Sequence, residues 1–82
     1  MSEIVFTRRA LKDLDQLDRQ IRQRIIEKLK ELAADPTAYA TKLTDSRLGS
    51  FRFRIGDWRV VFDIADNRVV VLRIGHRREI YR

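Results

Sequence analysis

Cysteine is absent from this 82-residue chain, so disulfides and cysteine-ligated zinc are excluded. A single histidine and scattered carboxylates give no metal-ligand spacing. The three glycines are dispersed, so there is no glycine-rich phosphate loop, and no Ser/His/Asp arrangement can be drawn. No apolar run approaches the roughly 20 residues that cross a bilayer. The opening Met1-Ser2-Glu3-Ile4-Val5 lacks the charged lead and apolar stretch of a signal peptide. Repeats, linkers and low-complexity segments are missing too. The expectation is one domain, 1–82, in the cytoplasm, without membrane contact, metal or cofactor.

What is present is the composition of a globular protein, 44% hydrophobic and 37% charged. The formal net charge is +6 and it is unevenly placed. Residues 1–46 hold nine basic and eight acidic groups, about +1; residues 47–82 hold nine basic and four acidic, about +5. The excess is mostly arginine in the second half. Such a field favours polyanions, nucleic acid first and acidic protein segments second.

Residues 3–6 read as a short strand with Ile4 and Phe6 on one side. Thr7 suits an N-cap, and Ala10, Leu11, Leu14 and Leu17 follow at helical spacing, with Arg8, Arg9, Lys12, Asp13 and Asp15 outside. Asp18 caps a second helix whose stripe is Ile21, Ile25, Ile26, Leu29, Leu32 and Ala33; Arg22, Arg24, Glu27, Lys28 and Glu31 lie outside. Asp35-Pro36 stops it, because the residue before proline avoids helical angles. Residues 37–48 are a connector with Leu43 and Leu48 reaching the core. Three strands follow at 50–55, 58–64 and 69–75, then a helical turn or extended tail over 76–82. The order β-α-α-β-β-β predicts a two-layer α+β fold, with the N-terminal strand and a helical hairpin on a mostly antiparallel four-stranded sheet.

The most informative stretch is Phe51-Arg52-Phe53-Arg54-Ile55-Gly56-Asp57-Trp58-Arg59. Its apolar and cationic residues alternate with period two, the pattern of a half-buried strand. Gly56-Asp57 suits a two-residue hairpin turn, setting Ile55 opposite Trp58, Arg54 opposite Arg59 and Phe53 opposite Val60. One face is then Phe51, Phe53, Ile55, Trp58, Val60 and Phe62, a core; the other carries Arg52, Arg54 and Arg59. Like charges directly opposed destabilise a sheet, so this trio points to a bound anion. At the second turn, Asp66-Asn67, a two- or four-residue loop would turn Val69, Val71 and Arg73 to the core. A three-residue loop ending at Arg68 turns Val70, Leu72 and Ile74 there instead. It is the expected one, because it spares Arg73 burial without a partner. The open face would display Arg52, Arg54, Arg59, Val61, Asp63 and Arg73, with the C-terminal segment at its rim.

Guanidinium forks match phosphate geometry. Ordinary pairing with Asp57, Asp63 and Glu79 is the other reading, but three arginines on one strand face plus Arg77 outnumber those acids. His76, beside a cationic cluster, can act as acid or base. Tyr81 can stack on a base, meet a phosphate or anchor the tail apolarly. Trp58 belongs to the core, and Tyr39 lies in the connector.

At these residues the chain resembles the RelE/ParE superfamily of toxins from prokaryotic type II toxin–antitoxin systems, and within it the RelE branch. The matching pieces are Ile4-Val5-Phe6-Thr7 with Ala10-Leu11-Asp13-Leu14, Phe51–Arg59 with Val60-Val61-Phe62, and Val71-Leu72-Arg73-Ile74-Gly75-His76-Arg77-Arg78-Glu79-Ile80-Tyr81. The resemblance spans nearly all of the chain. It implies a metal-free, ribosome-dependent endoribonuclease that cuts messenger RNA in the decoding site: the 2′-hydroxyl attacks the adjacent phosphate, leaving a 2′,3′-cyclic phosphate and a 5′-hydroxyl. By position it makes Arg52 and Arg54 RNA grips; Arg73 and Arg78, on the predicted face and tail, are expected to join them in binding RNA. Arg59 becomes the transition-state stabiliser, Arg77 the group assisting the leaving 5′-oxygen, and Tyr81 the residue orienting or activating the nucleophile. It implies a RelB-like antitoxin as partner, with operator DNA met only through that complex.

Relatives often carry lysines where Arg52 and Arg54 stand. Arginine, with a pKa above about 12, is a poor base, so the base is sought at His76 or Tyr81. The ParE branch shares the fold, inhibits DNA gyrase and lacks the nuclease residues; the filled positions Arg52, Arg54, Arg59, Arg77 and Tyr81 favour RelE. A catalytically inactive, basic RNA-binding relic is the third alternative.

Overall fold

The computed structural model describes residues 3–39, 41–42 and 51–80. In chain order these form β1 (Glu3–Phe6), α1 (Arg8–Asp15), α2 (Arg19–Ala34), α3 (Pro36–Tyr39), β2 (Thr41–Lys42), β3 (Phe51–Ile55), β4 (Trp58–Ala65) and β5 (Arg68–His76). The sheet runs β1-β5-β4-β3-β2, with β1 parallel to β5 and every other pair antiparallel. The α+β architecture is the one expected, with a two-residue edge strand added. That strand and the short α3 fall inside the segment read as a connector; Leu43 and Leu48 lie outside the described residues.

Thr7 joins the two layers. Its extended backbone ends β1, and its Oγ1 accepts from the Ala10 N–H at 3.1 Å as the cap of α1. The same hydroxyl donates to the Leu72 carbonyl at 3.1 Å, and the Thr7 N–H donates to the Val71 carbonyl at 3.0 Å. Because the chain leaves the sheet here, β5 loses its strand neighbour beyond Val71. Asp13 takes over that edge: its Oδ2 accepts from the Ile74 N–H and from Arg73 Nε, both at 3.0 Å. Asp13, expected on the outer helical face, has a side chain only 11% exposed. Leu11 is the converse: expected in the stripe, it is 52% exposed. The two-turn α1 buries only its Ala10–Leu14 line.

In α2, Ile25, Leu29, Leu32 and Ala33 are buried, with Ile21 and Ile26 at the margin. Asp18 holds the cap position without a side-chain cap bond. Ala34 ends the helix and Asp35 turns extended, as a residue before proline must. Against this layer the sheet presents Phe53, Ile55, Val60, Phe62, Val69, Val71 and Ile74. Phe51 and Phe62, paired across β3 and β4, stack with ring centroids 5.6 Å apart.

The β3–β4 register is as expected, with Arg54 opposite Arg59 and Ile55 opposite Trp58. The β4–β5 register is not. The connection is a two-residue turn, Asp66-Asn67, with Ala65 opposite Arg68 and Phe62 opposite Val71. Asp66 adopts a positive φ of 55°, as the primed turns of hairpins require. Val69 and Val71 therefore face the core rather than Val70 and Leu72. Arg73 escapes it because the register shifts between Val61 and Phe62, where a bulge gives β5 one extra residue. Beyond it Val61 pairs with Arg73 and Val60 with Ile74, returning Ile74 to the core. Two requirements that seemed exclusive, a tight turn and an excluded arginine, are both met by one inserted residue.

Candidate functional site

Alternation places Arg52, Arg54 and Arg59 on the sheet face away from the helices, but that face is not the bare surface expected. Val61 is 1% exposed and Arg59 6%. Val61 sits between Arg52 on β3 and Arg73 on β5, whose aliphatic stems can cover it while their charged heads reach outward. The Arg52 Nε is itself buried.

Arg59 is held by the turn beside it. Its Nη1 donates to the carbonyls of Gly56 at 2.8 Å and Trp58 at 2.9 Å. A guanidinium withdrawn from water needs such partners, and these also fix its direction. Gly56 makes the turn possible through its φ of 58°. The C-terminal turn reaches the same place: the Arg77 N–H donates to the Asp57 carbonyl at 2.9 Å, and Arg77 Nε lies 3.8 Å from the Asp57 carboxylate. Arg54, Arg59 and Arg77, from three separate elements, thus meet at the β3–β4 turn.

The other expected positions fall elsewhere. Arg73 is 30% exposed and bound to Asp13 through Nε, so its charge is already engaged by α1. His76 pairs with Trp58 across β4 and β5, and cross-strand partners share a face; it therefore lies on the helix side, not with the arginines. Its ring meets the Trp58 ring edge-on at 5.5 Å, in a groove of about 320 Å³ that Arg9, Asp13, Glu79 and Ile80 also line. Its Nδ1 accepts from the Arg78 N–H at 3.3 Å. Arg78 is exposed beyond the strand end. Tyr81 lies outside the described residues; its neighbour Ile80 is buried against Gly75.

One participant was missed. Arg24, assigned to the solvated face of α2, brings its guanidinium beside Gly56, 3.5 Å from where a Cβ there would stand; only tertiary structure shows that proximity. Among the described residues no three His, Cys, Asp or Glu side chains come together as metal ligands, and no helix is long and apolar enough to cross a membrane.

Comparison with known proteins adds lineage to this geometry. The family model described as "ParE toxin of type II toxin-antitoxin system, parDE" matches residues 4–81. Toxin RelG of Mycobacterium tuberculosis is 34% identical over 80 residues, covering 94% of this chain and 92% of its own. The M. tuberculosis RelBE2 toxin–antitoxin complex contains a chain similar at TM-score 0.84 and 30% identity, over 93% of this chain and 98% of that one. The isolated E. coli RelE toxin is similar at TM-score 0.79 and 26% identity, over 99% and 92%.

Proposed function

The chain belongs to the RelE/ParE superfamily of type II toxins, on its RelE side, and from that premise we propose that it cleaves messenger RNA on the ribosome as a metal-independent endoribonuclease. The observation that carries this reading is the meeting of Arg54, Arg59 and Arg77 at one turn, with Arg59 locked by two carbonyls. A phosphodiester under in-line attack gains charge on its non-bridging oxygens, and a cation already oriented stabilises that charge without reorganising. The 2′-oxygen bonds to phosphorus, the bond to the 5′-oxygen breaks, and a 2′,3′-cyclic phosphate and a 5′-hydroxyl result. Arg52 and Arg54 grip the strand, Arg59 stabilises the phosphorane and Arg77 assists the departing 5′-oxygen. Tyr81, as its phenolate, takes the 2′-hydroxyl proton, and the departing 5′-oxygen is protonated from solvent; His76 stands on the opposite face with its Nδ1 accepting from Arg78.

The test is to map transcript ends after expression of the protein and of the double variant Arg59→Ala, Arg77→Ala. Cleavage should fall at least about a hundredfold, the usual effect of deleting a transition-state donor. Undiminished ribosome-dependent cuts would overturn the assignment. A RelB-like antitoxin is the partner this reading requires, and RelBE2 among the similar structures is such a complex. An acidic or amphipathic segment would cover the cationic face, and operator DNA would be met through that complex. The ParE description of the matching family model keeps gyrase inhibition as a second reading; a supercoiling assay with purified protein separates the two.

A further inference from the structure

Helical periodicity puts Arg24 outside α2, and it is exposed there. Its guanidinium nonetheless lies on the β3–β4 turn. A Cβ built on Gly56 would stand 3.5 Å from Arg24 Nη2 and 3.9 Å from its Cζ and Nη1. Arg59 reaches the same glycine by donating to its carbonyl, and it does so from the strand face opposite the helices. Arg24 comes from the helical layer. The two cations therefore straddle the turn, with Arg54 across from Arg59 and Arg77 tied to Asp57.

Four arginines surround a two-residue turn that carries one carboxylate, and that carboxylate is engaged by Arg77. The ion pairs among the described residues do not include Arg24. Like charges gathered this closely repel, and the repulsion is relieved when an anion comes between them. Cations placed on both sides of a hairpin tip, rather than gathered around one point, suit a chain of anions more than a single one.

We infer that Arg24 holds a backbone phosphate of single-stranded RNA just outside the reacting bond, where the strand leaves the arginine face and passes over the β3–β4 turn toward the helices. The inference rests on the proposed RNA cleavage and adds to it a binding residue and a direction of exit. Arg24 grips phosphate there and takes no part in the chemistry.

The experiment is an anisotropy titration with a short, labelled single-stranded RNA carrying 2′-O-methyl groups, which cannot be cleaved, over a series of KCl concentrations. It compares the unaltered protein with Arg24→Gln, Arg54→Gln and Lys30→Gln. Glutamine keeps helix propensity near that of arginine, so α2 should stay folded, and circular dichroism verifies this. Arg24→Gln is expected to weaken binding several-fold at low salt. It should also flatten the slope of log K against log salt by about 0.7, the increment for one phosphate on a single strand. Lys30→Gln removes the same charge at the other end of α2 and should change neither quantity. If Arg24→Gln matches Lys30→Gln while Arg54→Gln weakens binding, the role of Arg24 falls and the RNA reading stands. If Arg54→Gln has no effect either, the RNA reading fails and takes this inference with it. Loss of binding to polyglutamate alone, with RNA binding intact, would assign Arg24 to an acidic protein and overturn the proposal.

Discussion

Replacing Asp13 by alanine removes the group that closes the open edge of β5, and its cost can be worked from the bonds lost. Asp13 Oδ2 accepts from Arg73 Nε and the Ile74 N–H at 3.0 Å, and its Oδ1 lies 3.4 Å from Arg9 Nε. A hydrogen bond to a charged group contributes about 1.5–3 kcal/mol, and a buried N–H left without an acceptor costs about 1–3 kcal/mol. The Arg9 pair counts for little, since that side chain is 62% exposed. Arg73, 30% exposed, recovers part of its loss by rehydration. The sum is a destabilisation of about 2–4 kcal/mol, a large share of the roughly 4–12 kcal/mol expected for a domain this size. At about 4–8 °C per kcal/mol, the melting temperature should drop by about 8–32 °C. Urea and thermal unfolding, followed by circular dichroism and by the fluorescence of Trp58, would measure it. Asp13→Asn keeps an acceptor and should lose about half as much; a double-mutant cycle with Arg73→Ala should show coupling of about 1–2 kcal/mol. A change below about 0.5 kcal/mol in Asp13→Ala would refute the idea that this carboxylate substitutes for a strand.

Two further perturbations test the hairpins. Val71→Ala should cost about 2–3 kcal/mol in urea unfolding, and Val70→Ala under about 1 kcal/mol, because Val71 faces the core and Val70 does not; the reverse order would restore the three-residue loop. Gly56→Ala should destabilise by about 1–2 kcal/mol through its φ of 58° alone, since the new Cβ at 3.5 Å from Arg24 makes only ordinary contact. An unchanged unfolding midpoint would mean that the turn relaxes.

The β3–β4 hairpin was legible because three signals agree there: strict alternation, a glycine-led turn and aromatic residues on one side only. At Asp66-Asn67 the signals conflict. The tight turn favours Val69 and Val71 in the core, the charge on Arg73 favours Val70 and Leu72, and strict period two admits one or the other. A bulge breaks the period, and nothing in Val71-Leu72-Arg73 announces it, since all three residue types suit a strand. What makes room for the bulge is tertiary: β1 ends at Phe6, and Thr7 and Asp13 then satisfy the β5 edge with side chains. Asp13 looked like an ordinary helix-surface acid for the same reason, its partners being 60 and 61 residues away.

For the candidate site, alternation correctly separates the faces but says nothing of exposure. Arg59 is on the expected face and still 6% exposed, because the carbonyls of its own turn draw the guanidinium in. His76 was misplaced despite an available signal. In the register expected from the three-residue loop Ile74 faces the core, and a residue two further along the same strand shares its side. Parity alone therefore puts His76 with Trp58 rather than with Arg54. Among the described residues the arginine face then holds its cations and, on the same parity of β4 as Arg59 and Val61, the carboxylate of Asp63. On the nuclease reading the proposed base, Tyr81, lies outside the described residues. The burial of Ile80 against Gly75 is what anchors that end of the chain to the strand opposite Arg59.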